Sequence, residues 1–248
     1  LRIRQEVIKI PFMQTRCPNP KCRFVFDVNP DREGKNLPCP ACGQVITVRS
    51  LELLKDLERR RAAAARQGAL GSPSSAEPEK LQVLLEDIRS LWNVGSIFRT
   101  ADGAGFGRVH LCGITPIPPR KEISKTALGA DDYIPWEHHV SVVDILPRLR
   151  GAGVCLAALE ENSRAIPLSQ AVAEGRLQTP LCLLVGNEVS GLSAEAQSEA
   201  DAVCSLPMRG RKNSLNVAVA FGVAAYMVSE KFLCRPTPRP SKPAEMDL

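Results

Sequence analysis

Histidine and aromatic side chains are scarce in this chain: three His, two Trp, two Tyr and seven Phe among 248 residues. So few histidines, at positions 110, 138 and 139, rule out a His-rich metal cluster, and each is read as structural or surface. No P-loop and no nucleophile elbow is present, which removes the commonest nucleotide hydrolases and serine esterases. Nor is there a long uncharged apolar run. The nearest approach is 213–229, which opens beside Arg211, Lys212, Asn213 and Asn216 and is read as a buried helix, with no membrane span. The opening LRIRQEVIKIPF lacks the apolar core of a signal peptide, so a reducing, cytoplasmic compartment is expected. In that compartment nine cysteines point to metal ligands or free thiols, since disulfides do not persist there.

The length suits one α/β domain of ordinary size plus a small module. Charge is uneven. Residues 1–80 carry 15 Lys+Arg against 9 Asp+Glu, a net of +6, while residues 81–248 carry 17 against 18, a net of −1. A phosphate-bearing partner would be drawn to the N-terminal third first, although a solvated basic surface would have the same composition.

The first module is legible in its cysteines. Cys17, Cys22, Cys39 and Cys42 stand in the pattern C-x4-C-x16-C-x2-C, each pair among Pro and Gly turn residues. Two such turns bring four thiolates to the corners of a tetrahedron, the closed arrangement of a structural zinc site. RFVFDV after the first pair and QVITVRS after the second read as strands, so 13–50 is expected to be a zinc ribbon, folded largely by its metal. Residues 1–12 are expected to add nothing to it. The remaining cysteines, Cys112, Cys155, Cys182, Cys204 and Cys234, sit mostly in apolar runs and read as small core residues. Residues 51–67 place Leu51, Leu54 and Leu57 on one helical face, with Arg59, Arg60 and Arg61 beyond, either an RNA contact or a solvated helix end. Residues 68–80 read as a flexible linker and 235–248 as a disordered tail.

From residue 81 strand and helix patterns alternate. Strands are expected at 81–88, 108–114, 154–160, 181–187 and 202–208, and helices at 93–105, 140–153, 166–175, 192–200 and 213–233. That order predicts an α/β domain over 81–234 with a mostly parallel sheet, whose ligands gather at the carboxyl ends of the strands. The glycines of GAGFG (103–107) follow a helix and precede a strand, the reverse of a dinucleotide fingerprint, and read as a helix C-cap. The stretch 116–139 reads as a long connecting loop facing substrate, with Arg120, Lys121 and Lys125 on it, or simply as a solvated loop.

Three segments carry a resemblance. NVGSIFRTADGAG (93–105), LLVGNEVSGLS (183–193) and LPMRGRKNSLNVAVAFG (206–222) are similar, in order, to the three motifs of the SpoU/TrmH-type RNA ribose 2′-O-methyltransferases of the SPOUT superfamily. The resemblance covers 81–233 and implies a parallel sheet closed by a C-terminal trefoil knot, a homodimer through the knot region, and S-adenosylmethionine as methyl donor to a transfer or ribosomal RNA. It implies that Gly186, Leu206 and Leu215, with Met208, Asn216 and Glu188 beside them, hold that cofactor. It implies that Arg99, Asn93 and Ser214 face the ribose. Read without it, Asn93 and Ser214 are helix N-caps, and Glu188 orders its own turn or sits at a helix N-terminus. A guanidinium keeps its proton at neutral pH, so Arg99 is expected to orient phosphate and hydroxyl and to stabilise developing oxyanion charge. Arg209, Arg211 and Lys212 add positive charge beside the cofactor loop. A non-catalytic RNA-binding scaffold and a base methyltransferase of the same superfamily remain alternatives. The cysteine ribbon departs from the family's usual N-terminal extension, which leaves the RNA target open.

Overall fold

The computed structural model describes residues 12–17, 21–32, 35–48, 50–51 and 78–233. The expected helix beyond Leu51, most of the linker, Cys234 and the tail lie outside the described residues.

The N-terminal module is two small hairpins. β1 (Met13–Arg16) pairs antiparallel with β2 (Val25–Val28), and β3 (Asn36–Pro38) with β4 (Val45–Thr47). Cys17, Cys39 and Ile46 are buried together, with Cys22 and Phe26 packed against them. So small an apolar cluster cannot offset the conformational entropy of the hairpins unaided.

The second region is a seven-stranded sheet of β5 (Leu81–Glu86), β6 (Arg108–Cys112), β7 (Trp136–His139), β8 (Cys155–Leu159), β9 (Ile166–Pro167), β10 (Leu181–Val185) and β11 (Ala202–Ser205). Its order is β7-β6-β5-β10-β8-β11-β9, and every pairing is parallel. Helices cover both faces, so central strands such as LQVLLE and LCLLV are buried on each side and read as near-continuous apolar runs. Alternation sorts their side chains. Leu81, Val83, Leu85, Leu181, Leu183 and Val185 enter one core, Leu84, Cys182 and Leu184 the other.

The first core is covered by α1 (Leu91–Gly103), α2 (Lys121–Ala127), α3 (Ala130–Tyr133), α5 (Leu168–Ala173) and α7 (Val217–Phe232). The second is covered by α4 (Val142–Gly151) and α6 (Ala194–Glu199). Helix α1 buries Val94, Ile97, Phe98 and Ala101, a stripe at helical spacing. It ends at Ala104, followed by Gly105 at φ 74°, the left-handed turn expected of these glycines. Gly95 is where α2 crosses α1: a Cβ there would stand 2.3 Å from the Ile123 carbonyl oxygen.

The stretch 116–139 is not a long loop. It folds as α2, α3 and β7, because Ile123, Ala127, Ala130 and Ile134 bury against α1. Two helices of seven and four residues are too short for a periodic pattern to emerge from sequence. The helix expected over 166–175 likewise gives its first two residues to β9.

The chain path builds the site. After β7 the chain crosses to β8, lays β9 at the far edge, then returns to insert β10 between β5 and β8 and β11 between β8 and β9. Helix α7 then packs back on α1, with Phe221 edge-on to Phe106 at 5.3 Å between ring centres. The first and last motifs are thereby neighbours, although more than a hundred residues separate them.

Candidate functional site: a cleft joining three motifs

Strand β10 ends at Val185, and the chain turns at once. A Cβ on Gly186 would lie 2.3 Å from backbone atoms of Gly191 and Leu192, so only glycine lets the two arms of this turn meet. The close approach is between backbone segments of one motif. Asn187 shapes the rest, its Oδ1 accepting from the Val189 and Ser190 amides at 2.8 and 3.1 Å while its Nδ2 donates to the Asp87 carbonyl at 2.7 Å. Two buried or half-buried carboxylates pin the far arm. Glu160 Oε2 accepts from the Leu192 amide at 2.8 Å, and Glu86 Oε2 from the Ser193 amide at 2.9 Å.

Glu188 reaches out of this turn to the start of α1. Its carboxylate accepts from the amides of Arg89 and Ser90, at 3.1 and 3.4 Å, and from Asn93 Nδ2 at 2.9 Å. Burial alone would raise its carboxyl, but the hydrogen bonds from Asn93 and from these amides outweigh it and hold the group below the ordinary value. Glu188 is therefore anionic at neutral pH and sits where a helix N-terminus favours negative charge. Asn93 Oδ1 in turn accepts from Asn216 Nδ2 at 3.2 Å, and Asn216 Oδ1 accepts from the amides of Ala218 and Val219, capping α7. The chain Glu188, Asn93, Asn216 thus ties the second, first and third motifs together.

Two expected caps fall elsewhere. Ser90, not Asn93, caps α1, and Asn216, not Ser214, caps α7. In each case a better-placed acceptor lies on the residue that still has extended backbone, leaving Asn93 free for Glu188 and Asn216.

Gly186, Glu188, Leu206, Met208, Ser214 and Leu215 line one open cleft at the carboxyl ends of β8, β10 and β11. Leu159, Val185, Val217 and Ala220 give it apolar walls, and Glu160 and Glu161 give it an acidic rim. Asn93 and Asn216 join it through their hydrogen bonds. Arg99 does not line the cleft; it is exposed on α1. Sequence reasoning missed Asn187, Glu160 and Glu161. Glu160 and Glu161 stand directly after a central strand, which was a usable signal in a parallel sheet.

Comparison with known proteins settles the family. Residues 80–226 match the family model described as the SpoU rRNA Methylase family. The chain belongs to that family. One relative of this SpoU family chain is the tRNA (guanosine(18)-2′-O)-methyltransferase of Escherichia coli (strain K12), 30% identical over 146 residues, 59% of this chain and 61% of the relative. The AdoMet-bound rRNA methyltransferase from Sinorhizobium meliloti superposes with a TM-score of 0.57 at 31% identity, covering 64% of this chain and 57% of that one. The SpoU methyltransferase AviRb from Streptomyces viridochromogenes, in complex with AdoMet, gives a TM-score of 0.56 at 26% identity, over 64% and 63%. The match thus spans about three fifths of the relatives' length and begins after the cysteine module.

That module adds to the SpoU domain a second candidate centre. The Sγ atoms of Cys17, Cys22, Cys39 and Cys42 all lie within 4.8 Å of one another. Cys17 to Cys42 is 3.7 Å and Cys22 to Cys39 is 3.8 Å. A tetrahedron with zinc–sulfur bonds of about 2.3 Å has edges of about 3.8 Å, so these separations fit four thiolates around one zinc ion. Burial opposes ionisation of Cys39, yet the amides of Ala41 and Cys42 outweigh it and bring the thiol down to about 7. Cys112, Cys155, Cys182 and Cys204 are buried in the SpoU domain, as expected of core residues.

Two histidines of the SpoU domain form a buried network on β6 and β7. His110 Nε2 lies 2.9 Å from Gln82 Oε1, and its Nδ1 lies 3.4 Å from His139 Nε2. Burial pushes His110 down to about 3 and His139 to about 4, the positive charge of Arg148 adding to both. Both rings are neutral at pH 7. Beside them Glu137 is paired with Arg108 at 2.9 Å.

Proposed function

We propose that this protein transfers a methyl group from S-adenosylmethionine to a ribose 2′-hydroxyl of transfer or ribosomal RNA. The observation that carries this reading is the polar chain Glu188, Asn93, Asn216, which binds three motifs separated in sequence into one cleft. The cleft suits the donor: apolar walls for an adenine, glycine-rich backbone, and the carboxylates of Glu160, Glu161 and Glu188 for a molecule that carries positive charge. When bound, that molecule supplies an electrophilic methyl group.

The residues supply placement. Gly186, Leu206, Met208 and Leu215 offer main-chain and apolar contacts to the cofactor, while Glu188 and Asn216 fix the loops that present them. Asn93 and Ser214 face the ribose. Arg99, a guanidinium cation exposed on α1 outside the lining of the cleft, is assigned to the adjoining phosphate and to the negative charge growing on the attacking oxygen. Holding donor and hydroxyl in line accounts for much of the acceleration, since the displacement needs geometry more than acid catalysis. The structural zinc ion, a homodimer through the C-terminal segment, a knotted path for that segment and a cytoplasmic setting complete the proposal. No helix among the described residues is long and apolar enough to cross a membrane.

The test is methyl transfer from labelled S-adenosylmethionine to unmodified transfer and ribosomal RNA, with the product digested to nucleosides. A 2′-O-methylnucleoside is expected, and Arg99→Ala should lower the rate by about 100-fold or more while leaving RNA affinity largely intact. A base-methylated nucleoside would reassign the reaction. No transfer to either RNA despite RNA binding would reduce the domain to a scaffold.

A further inference from the structure

The two knuckles of the cysteine module are built alike. In each, the amide of the leading cysteine donates to the carbonyl two residues beyond the second cysteine: Cys17 to Phe24 and Cys39 to Gln44, both at 2.8 Å. In each, the residue after the second cysteine has left-handed backbone, Arg23 at φ 50° and Gly43 at φ 72°. Position by position, Arg23 corresponds to Gly43 and Phe24 to Gln44. The second knuckle uses the glycine that the turn favours, whereas the first puts a long cationic side chain into the same unfavourable conformation. Metal binding does not require that choice, because Gly43 meets the same need with open space around it. Strain kept at one of two equivalent positions points to a function for the side chain that carries it.

The neighbour of Arg23 fits the same function. Phe24 is 44% exposed, and its ring stacks on Phe26 with 6.0 Å between centres and 16° between planes. Phe26 packs against the buried cysteines, so the stack runs from the metal-binding core out to solvent. A rigid ring that offers its outer face beside an exposed guanidinium matches what an unpaired nucleotide needs, a surface for its base and a cation for its phosphate. Among the described residues no hydrogen bond or ion pair holds Arg23.

We infer that the first knuckle is an RNA contact, in which Phe24 stacks on an unpaired base and Arg23 pairs with the adjoining phosphate. This rests on the reading of RNA as the substrate and adds where the chain first grips it.

The test uses the full, zinc-loaded chain and copies the second knuckle onto the first, as Arg23→Gly and Phe24→Gln. The probes are a labelled polyuridine oligonucleotide and unmodified transfer RNA. Phe24→Gln should weaken oligonucleotide binding by about 5- to 100-fold, and Phe24→Trp should restore it. Arg23→Gly should weaken both RNAs and lower the salt dependence by about one phosphate contact, while releasing zinc to a chelator no faster than the parent chain. Unchanged RNA affinity in both variants, or faster zinc loss from Arg23→Gly, overturns the inference. Failure of the two readings is separable. Unaltered binding with intact 2′-O-methylation sinks the knuckle alone, whereas weakened binding without any methylation sinks the enzyme and keeps the knuckle.

Discussion

The cysteine module and the α/β domain solve the same problem of chain entropy by opposite means. The domain buries two apolar clusters on the faces of a seven-stranded sheet, and its polar site is built where those strands end. The module gathers one small apolar cluster of Cys17, Cys39 and Ile46, two of them cysteines proposed as zinc ligands. One region's shape is distributed over two broad apolar cores, the other's gathered about four cysteine sulfur atoms. The two regions should therefore fail under different insults, and the difference can be measured.

Metal removal carries the largest expected effect. Structural zinc binding is worth about 10–16 kcal/mol in small cysteine domains at neutral pH, far more than the module's own core could supply. A strong chelator should abolish the module's structure and leave the domain's thermal unfolding little changed, although β4 packs beside α6. Both Trp residues, Trp92 and Trp136, belong to the domain, so tryptophan fluorescence reports it alone. Cobalt substituted for zinc reports the module through thiolate absorption. A domain transition that shifts markedly with the chelator would mean that the two regions share a core.

A crossing of helices offers the converse test. Gly95→Ala would press a methyl group against the Ile123 carbonyl and Thr126, and most of what it meets is backbone. Overpacking of this kind costs about 1–3 kcal/mol. The domain should lose that stability by urea unfolding while cobalt absorption of the module stays as it was. A neutral Gly95→Ala would show that α1 and α2 can separate without loss, contrary to their packing.

Much of this arrangement was legible in sequence, for reasons particular to each residue. Unbroken apolar runs such as LCLLV announce strands covered on both faces, and the spacing of Cys17, Cys22, Cys39 and Cys42 announces a tetrahedron. Helices α2 and α3 were hidden because four to seven residues carry too few turns to show a period. Glu188 was visible as a motif residue, but its partners were not. Their positions, Arg89, Ser90 and Asn93, become its neighbours only after β10 inserts beside β5, and no local pattern encodes that crossing. Arg23 was hidden for another reason. A left-handed residue is read from glycine, and here an arginine holds the position.

Acid should sharpen the contrast by the smallest increments. In the folded domain burial holds His110 at about 3 and His139 at about 4, so both stay neutral through mildly acidic pH. In the unfolded chain each takes up a proton as the pH falls past its ordinary value of 6.5. Between those limits the unfolded state binds more protons, so stability is complete above about pH 6.5 and declines as the pH falls through the window, levelling off near the folded values. Each ring contributes a slope of at most about 1.4 kcal/mol per pH unit. Arg148, paired with Glu137, adds its positive charge to the field that both rings feel, and Glu137 is held in turn by Arg108. Urea midpoints followed by tryptophan fluorescence at pH 7, 6 and 5 should fall, and His139→Gln should remove about half of the slope. A flat profile in the parent chain would mean that water reaches these rings and lets them protonate in place, and the buried network on β6 and β7 would then be open to solvent.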